Sequence, residues 1–142
     1  MKVSARNVFN GTVSALKSGA VNAEVEIATQ GGDKLVAIVT EESVKSLGLA
    51  IGQSAVAYVK APWVMLLAGE ATVKFSARNQ LSGTVKNLIK GAINSEVVLE
   101  LPGGGLVYAV VTNESVLELG LKEGVTATAL IKASHIILGV PA

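Results

Sequence analysis

The sequence predicts an all-β chain built as two tandem copies of one small unit, each with five short strands and a single short helix. Two observations carry that prediction. The string Ser4-Ala5-Arg6-Asn7, with Gly11-Thr12-Val13 after it, returns as Ser76-Ala77-Arg78-Asn79 and Gly83-Thr84-Val85, an offset of 72 positions. The offset holds without a gap: Glu24-Val25 meets Glu96-Val97, Leu47-Gly48-Leu49 meets Leu119-Gly120-Leu121, and Lys60-Ala61 meets Lys132-Ala133. A repeat at fixed period outranks local pattern as a guide to architecture. Within each copy, apolar and polar residues alternate over short runs between turn residues, and one stretch alone carries helix signals.

In the first copy, Lys2 to Leu16 reads as a long or bent strand, with Val3, Ala5, Val13 and Ala15 on one parity and Gly11 as the place for a bulge. Ser18-Gly19 makes a turn. Val21, Ala23, Val25 and Ile27 alternate with Asn22, Glu24 and Glu26 as a half-buried strand. Gly31-Gly32-Asp33 forms a hairpin, and Leu35 to Thr40 is the third strand. Thr40-Glu41-Glu42-Ser43 then starts a helix, with a capping hydroxyl and carboxylates in the first turn, and Gly48 ends it. Ser54 to Lys60 is the fourth strand, Ala61-Pro62 interrupts it, and Trp63 to Leu67 is a short fifth. Five strands with one helix between the third and fourth is the element order of an OB-fold-like barrel. The units are expected at residues 1–68 and 73–142, joined by a linker at 69–72, with a second helix from about Thr112 to Leu119.

Composition narrows the function classes. Half of the residues are apolar, yet the longest apolar run, Ala61 to Gly69, is far shorter than the roughly 18 residues of a membrane span. Met1-Lys2-Val3-Ser4 lacks the apolar core of a signal peptide, so a cytoplasmic protein with buried self-interfaces is expected. There is no Cys, hence no disulfide and no thiolate metal site. A net charge of +1, scattered singly and with few aromatics, speaks against nucleic acid.

Catalysis has little to work with. His135 is the only His, and Trp63 stands at its aligned position. Glu24/Glu96 lie on a strand's polar face and Glu42/Glu114 in a helix's first turn, so neither pair demands an acid–base reading. The glycines at 31–32 and 103–105 sit in hairpins, not between a strand and a helix as a dinucleotide loop would. No metal-ligand spacing is present. What recurs is a set of donors: the hydroxyls of Ser4/Ser76 and Thr40/Thr112, the cations Arg6/Arg78 and Lys60/Lys132, and the backbone N–H of Ala61/Ala133, with Ser134 added in the second copy. Lys17, Lys34, Lys45 and Lys90 do not recur, whereas Arg6/Arg78 and Lys60/Lys132 are kept in both copies, which favours anion binding over ordinary surface polarity.

Ser-Ala-Arg-Asn, Gly-Thr-Val, Gly-Ala-Val-Asn-Ala-Glu-Val, the Val-Thr helix start and Lys-Ala-Pro-Trp-Val together resemble the Mop domain. That domain is the molybdate-binding unit of molbindins and of the effector half of molybdate-responsive regulators. The resemblance covers nearly the whole chain twice, as in a tandem-Mop (di-Mop) molbindin, and with no DNA-binding segment ahead of residue 1 the regulator form is not expected. It implies a trimer of two-unit chains, with oxyanions at two kinds of interface. One kind would match Ser4, Ala5, Arg6, Thr40, Lys60 and Ala61, and the counterparts Ser76, Ala77, Arg78, Thr112, Lys132, Ala133 and Ser134. The other, near the threefold axis, would match Gly19-Ala20-Val21-Asn22 and Gly91-Ala92-Ile93-Asn94. Pro62 facing Ser134 makes the two Lys-Ala sites unequal.

The expected function is therefore molybdate binding for molybdenum storage or homeostasis, with tungstate accepted too. No catalytic residue, no cofactor and no directly coordinated metal cation is expected. A rival reading is a structural or adaptor module of paired barrels docking a protein; an enzyme is the third and weakest.

Overall fold

A computed structural model describes all 142 residues. The chain divides into two compact units, one of residues 1–59 with 132–142, the other of residues 60–131. Each holds one five-stranded antiparallel sheet and one helix, the all-β architecture expected.

In the first unit, β1 (Asn7–Ser18) runs between β2 (Asn22–Thr29) and β4 (Ser54–Val59), and β2 pairs on its far side with β3 (Lys34–Thr40). Alternation decides which side chains go inside: Ala23, Val25 and Ile27 of β2 and Leu35 and Ala37 of β3 are buried, with the residues between them half-exposed. The second unit repeats this with β6 (Asn79–Lys90), β7 (Asn94–Glu100), β8 (Leu106–Thr112) and β9 (Thr126–Ile131).

Both helices form where the capping signals place them. α1 (Glu41–Leu47) is capped by Thr40, whose Oγ1 accepts the Ser43 N–H at 3.0 Å, and α2 (Asn113–Leu119) by Thr112, which accepts the Ser115 N–H at 3.1 Å. Gly48 and Gly120 end them in the left-handed region, at φ of 62° and 63°, where any side chain would be strained. A cap hydroxyl is worth about 1 kcal/mol. Thr112→Ala is therefore expected to lower the stability of the second unit by that amount, read from the denaturant midpoint.

The fifth strand of each sheet comes from the other repeat. Met65–Leu67 (β5) pairs with β9, and Ile137–Gly139 (β10) pairs with β4, giving the orders β10-β4-β1-β2-β3 and β5-β9-β6-β7-β8. The expectation that Trp63–Leu67 is the fifth strand of its own repeat is thus corrected: the strand exists, two residues shorter, with a different partner. After β4 the chain turns through a short 3₁₀ segment, Ala61–Trp63, in which the Trp63 N–H donates to the Lys60 carbonyl at 3.0 Å. Because β4 and β9 alternate buried and exposed residues in nearly the same pattern, side-chain pattern cannot say which of them a following strand will join.

Two smaller corrections concern β1. It starts at Asn7, leaving Lys2 to Arg6 outside the ladder, and its bulge falls between Val13 and Ala15, not at Gly11. The extra residue flips the parity, so Val13 is buried while Ala15 faces outward. Gly11 serves a different need: a Cβ there would run into the Ala28 carbonyl of β2. Val21, assigned inward by alternation, is 72% exposed because the strand begins only at Asn22.

Candidate functional site

Ser4 and Arg6 are exposed and Ala5 is half-buried, all just ahead of β1; Ser76, Ala77 and Arg78 repeat this pattern ahead of β6. The asparagine closing each string is different. Asn7 is fully buried opposite Val59, and Asn79 is buried with its Nδ2 donating to the Ile131 carbonyl at 3.3 Å. Buried amides are kept only when hydrogen-bonded. The asparagines thus anchor the strand start and hold the exposed arginine one residue earlier at a fixed point of the sheet's end.

The Lys-Ala motifs stand where the chain leaves β4 and β9. Lys60 and Lys132 are exposed, while Ala61 and Ala133, next in sequence, are buried in 3₁₀ turns. Lys60 Nζ lies 5.9 Å from the Trp63 ring centroid, at the outer reach of a cation–π contact. The second copy has His135 at that place, with its N–H donating to the Lys132 carbonyl at 3.0 Å. Within the second unit the turn Ala61–Trp63 packs on β8, which ends at Thr112; within the first, Ala133–His135 packs on β3, which ends at Thr40. The fold thus brings Lys60-Ala61 to the strand of Thr112, and Lys132-Ala133-Ser134 to the strand of Thr40, the reverse of their order in the repeats.

The two threonines are already engaged. Thr40 Oγ1 also donates to Ser43 Oγ at 2.8 Å, and Thr112 Oγ1 to Ser115 Oγ at 2.9 Å. An anion accepting from either hydroxyl would have to draw that proton away from the serine Oγ, so serine and ligand compete for it while the helix cap, which uses the threonine oxygen as acceptor, can stay.

The turns Gly19–Asn22 and Gly91–Asn94 are exposed at the ends of the β1–β2 and β6–β7 hairpins. Lys17, Gly19, Asn22 and Glu24 contribute to a cavity of about 290 Å³ beside the first. A cavity of about 490 Å³ in the same unit, near Asn10, Thr12 and Gln30, has no charged lining residue and so offers nothing to balance an anion's charge. The turn glycines do not present their own amides outward: the Gly19 N–H donates to a Glu41 carboxylate oxygen at 3.0 Å, and the Gly91 N–H to the Asn94 carbonyl at 2.9 Å. Glu41 and Asn113, aligned at the first residue of each helix, were not among the residues singled out from sequence. The paired difference Ala23/Glu41 against Ser95/Asn113 was the signal that could have found them.

A family model described as the TOBE domain matches residues 3–66 and 76–138. The chain superposes on the molybdate-bound crystal structure of the cytoplasmic molybdate-binding protein ModG with a TM-score of 0.95 and 61% identity, covering 99% of this chain and 100% of that one. It is 45% identical over 141 residues to the molybdenum-pterin-binding protein MopA of Rhodobacter capsulatus, covering 99% of this chain and 53% of MopA. It is also 45% identical over 140 residues to the molybdenum transport protein ModE of Azotobacter vinelandii, covering 99% of this chain and 52% of ModE. The chain thus spans about half the length of these two curated relatives. Two matched domains, in a fold shared over its whole length with a solved structure, show that the chain belongs to the TOBE-domain family as a tandem pair of Mop domains.

Proposed function

We propose that this chain is a non-catalytic, cytoplasmic molybdate-binding protein that stores or buffers molybdenum and takes tungstate as well. The observation that carries the reading is the full-length match, at 61% identity, to a protein solved with molybdate bound. The recurring donor set supplies the chemistry. Molybdate is a tetrahedral dianion whose oxygens only accept, so hydroxyls, amides and fixed cations satisfy it without any acid or base. Phosphate near neutrality carries a proton that asks for an acceptor, which a donor-only site lacks.

The proposed interface sites draw on Ser4, Ala5, Arg6, Thr40, Lys60 and Ala61, and on Ser76, Ala77, Arg78, Thr112, Lys132, Ala133 and Ser134. The proposed threefold sites draw on Gly19 to Asn22 and Gly91 to Asn94. We take the sequence repeats as 1–68 and 73–142, joined at 69–72, although each compact unit draws its fifth strand from the other repeat. Self-association into a trimer is supported by apolar side chains exposed at aligned positions of both copies. Val21 and Ile93 are 72% and 76% exposed, Met65 and Ile137 63% and 64%. Single exposed hydrophobes are ordinary, but repeated ones of this size fit a surface meant for another copy. Sites shared between chains would couple loading to assembly, since the anion favours the associated state by mass action.

No helix is long and apolar enough to cross a membrane. Equilibrium dialysis against molybdate combined with sedimentation tests the reading. A trimer loading more than one molybdate per chain supports it; a monomer that loads none leaves the protein-docking adaptor.

A further inference from the structure

We propose that Glu41 makes Gly19–Asn22 the weaker of the chain's two threefold oxyanion sites, and that Asn113 makes Gly91–Asn94 the stronger. This rests on the molybdate reading above and adds a ranking to it.

The two turns share one backbone hydrogen bond from the first helix residue. The Glu41 N–H donates to the Val21 carbonyl at 2.8 Å, and the aligned Asn113 N–H donates to the Ile93 carbonyl at 2.9 Å. The side chains at that position do opposite things. Glu41 aims a carboxylate into its turn and holds the Gly19 N–H at 3.0 Å. Asn113 donates from Nδ2 to the Gly91 carbonyl at 2.9 Å, while its Oδ1 accepts the hydroxyl of Ser95 at 2.6 Å. Ser95 is buried, and the aligned residue in the first copy is Ala23, also buried, so the amide–hydroxyl pair belongs to the second turn alone.

The other charges at the two turns nearly cancel in the comparison. Lys17 pairs with Glu24 in the ladder at the first; at the second Lys90 pairs with Ser95, and Glu96, the next residue, pairs with Ile89, so each turn has one lysine and one strand glutamate. The difference is one carboxylate, present at the first turn and replaced by a neutral amide at the second. A dianion entering the first turn meets a fixed negative charge; the glycine amide is taken in both turns, by Glu41 at the first and by the Asn94 carbonyl at the second, so the charge alone separates them. In a threefold assembly three copies of that carboxylate would gather at one site and none at the other.

Anomalous scattering from molybdenum, in crystals of the trimer grown at limiting molybdate, reads each turn separately. The wild type should fill Gly91–Asn94 first, with Gly19–Asn22 occupied only at about tenfold or more higher molybdate. Glu41→Asn, or Glu41→Gln as the variant closest in shape, should bring the first turn up to the second, and Asn113→Glu should empty the second. Equal filling in the wild type, or unchanged occupancies in the Glu41 variants, overturns the ranking. Molybdate found only at the other sites also overturns it while leaving molybdate binding in place; no molybdate anywhere overturns both.

Discussion

Replacing Arg78 or Lys132 by alanine is expected to weaken molybdate binding by about ten- to a hundredfold. At the proposed sites each change would remove one charge-assisted hydrogen bond, worth about 1.5–3 kcal/mol, to a doubly charged ligand. Both side chains are exposed at the ends of strands whose neighbours, Asn79 and Ile131, are buried and paired. Truncation should therefore leave the fold's melting temperature nearly unchanged while the affinity drops, which separates a ligand role from a structural one. Titration of both variants checks it, and wild-type affinity in both would remove these residues from the site.

The second large effect is on stability. Gly11→Ala is expected to destabilise the first unit by about 3 kcal/mol or more, a value in the tail reserved for backbone clashes and overpacking. The added Cβ would meet the Ala28 carbonyl, a group held by the sheet rather than by a rotatable side chain. The β1–β2 ladder would have to open to admit it. Gly83, with the Glu100 carbonyl 2.5 Å from the same hypothetical carbon, predicts a parallel loss in the second unit. Unfolding monitored by denaturant midpoint checks both, and a neutral Gly11→Ala would show that the ladder gives way more easily than its pairing suggests.

Much of the fold was legible because local chemistry and tertiary need agree. Thr40 and Gly48 bracket one helix and Thr112 and Gly120 the other, each by its own capping physics. Ala23, Val25 and Ile27 announce a buried face by alternation alone. The exchange of β5 and β10 was not legible, since β4 and β9 offer them nearly the same edge. Nor was the bulge at Ser14: the parity change it introduces can be seen only once the pairing with β2 is known. Within the candidate site, the recurring donors stood out because two copies share them. The contact between Glu41 and Gly19 did not, because it joins residues 22 apart and differs between the copies. In a duplicated chain, identity between copies marks the shared site and difference marks where the two have diverged.

On the proposed reading the interface sites take molybdate, disfavouring protonated phosphate because they lack an acceptor and the smaller sulfate by cavity size alone. Calorimetric titration of the assembled protein with molybdate, in parallel with sulfate and phosphate, tests it most directly. Tight uptake of molybdate at more than one per chain, with sulfate and phosphate giving little heat, is the predicted result. No heat with molybdate, or an equal response to sulfate, would contradict it.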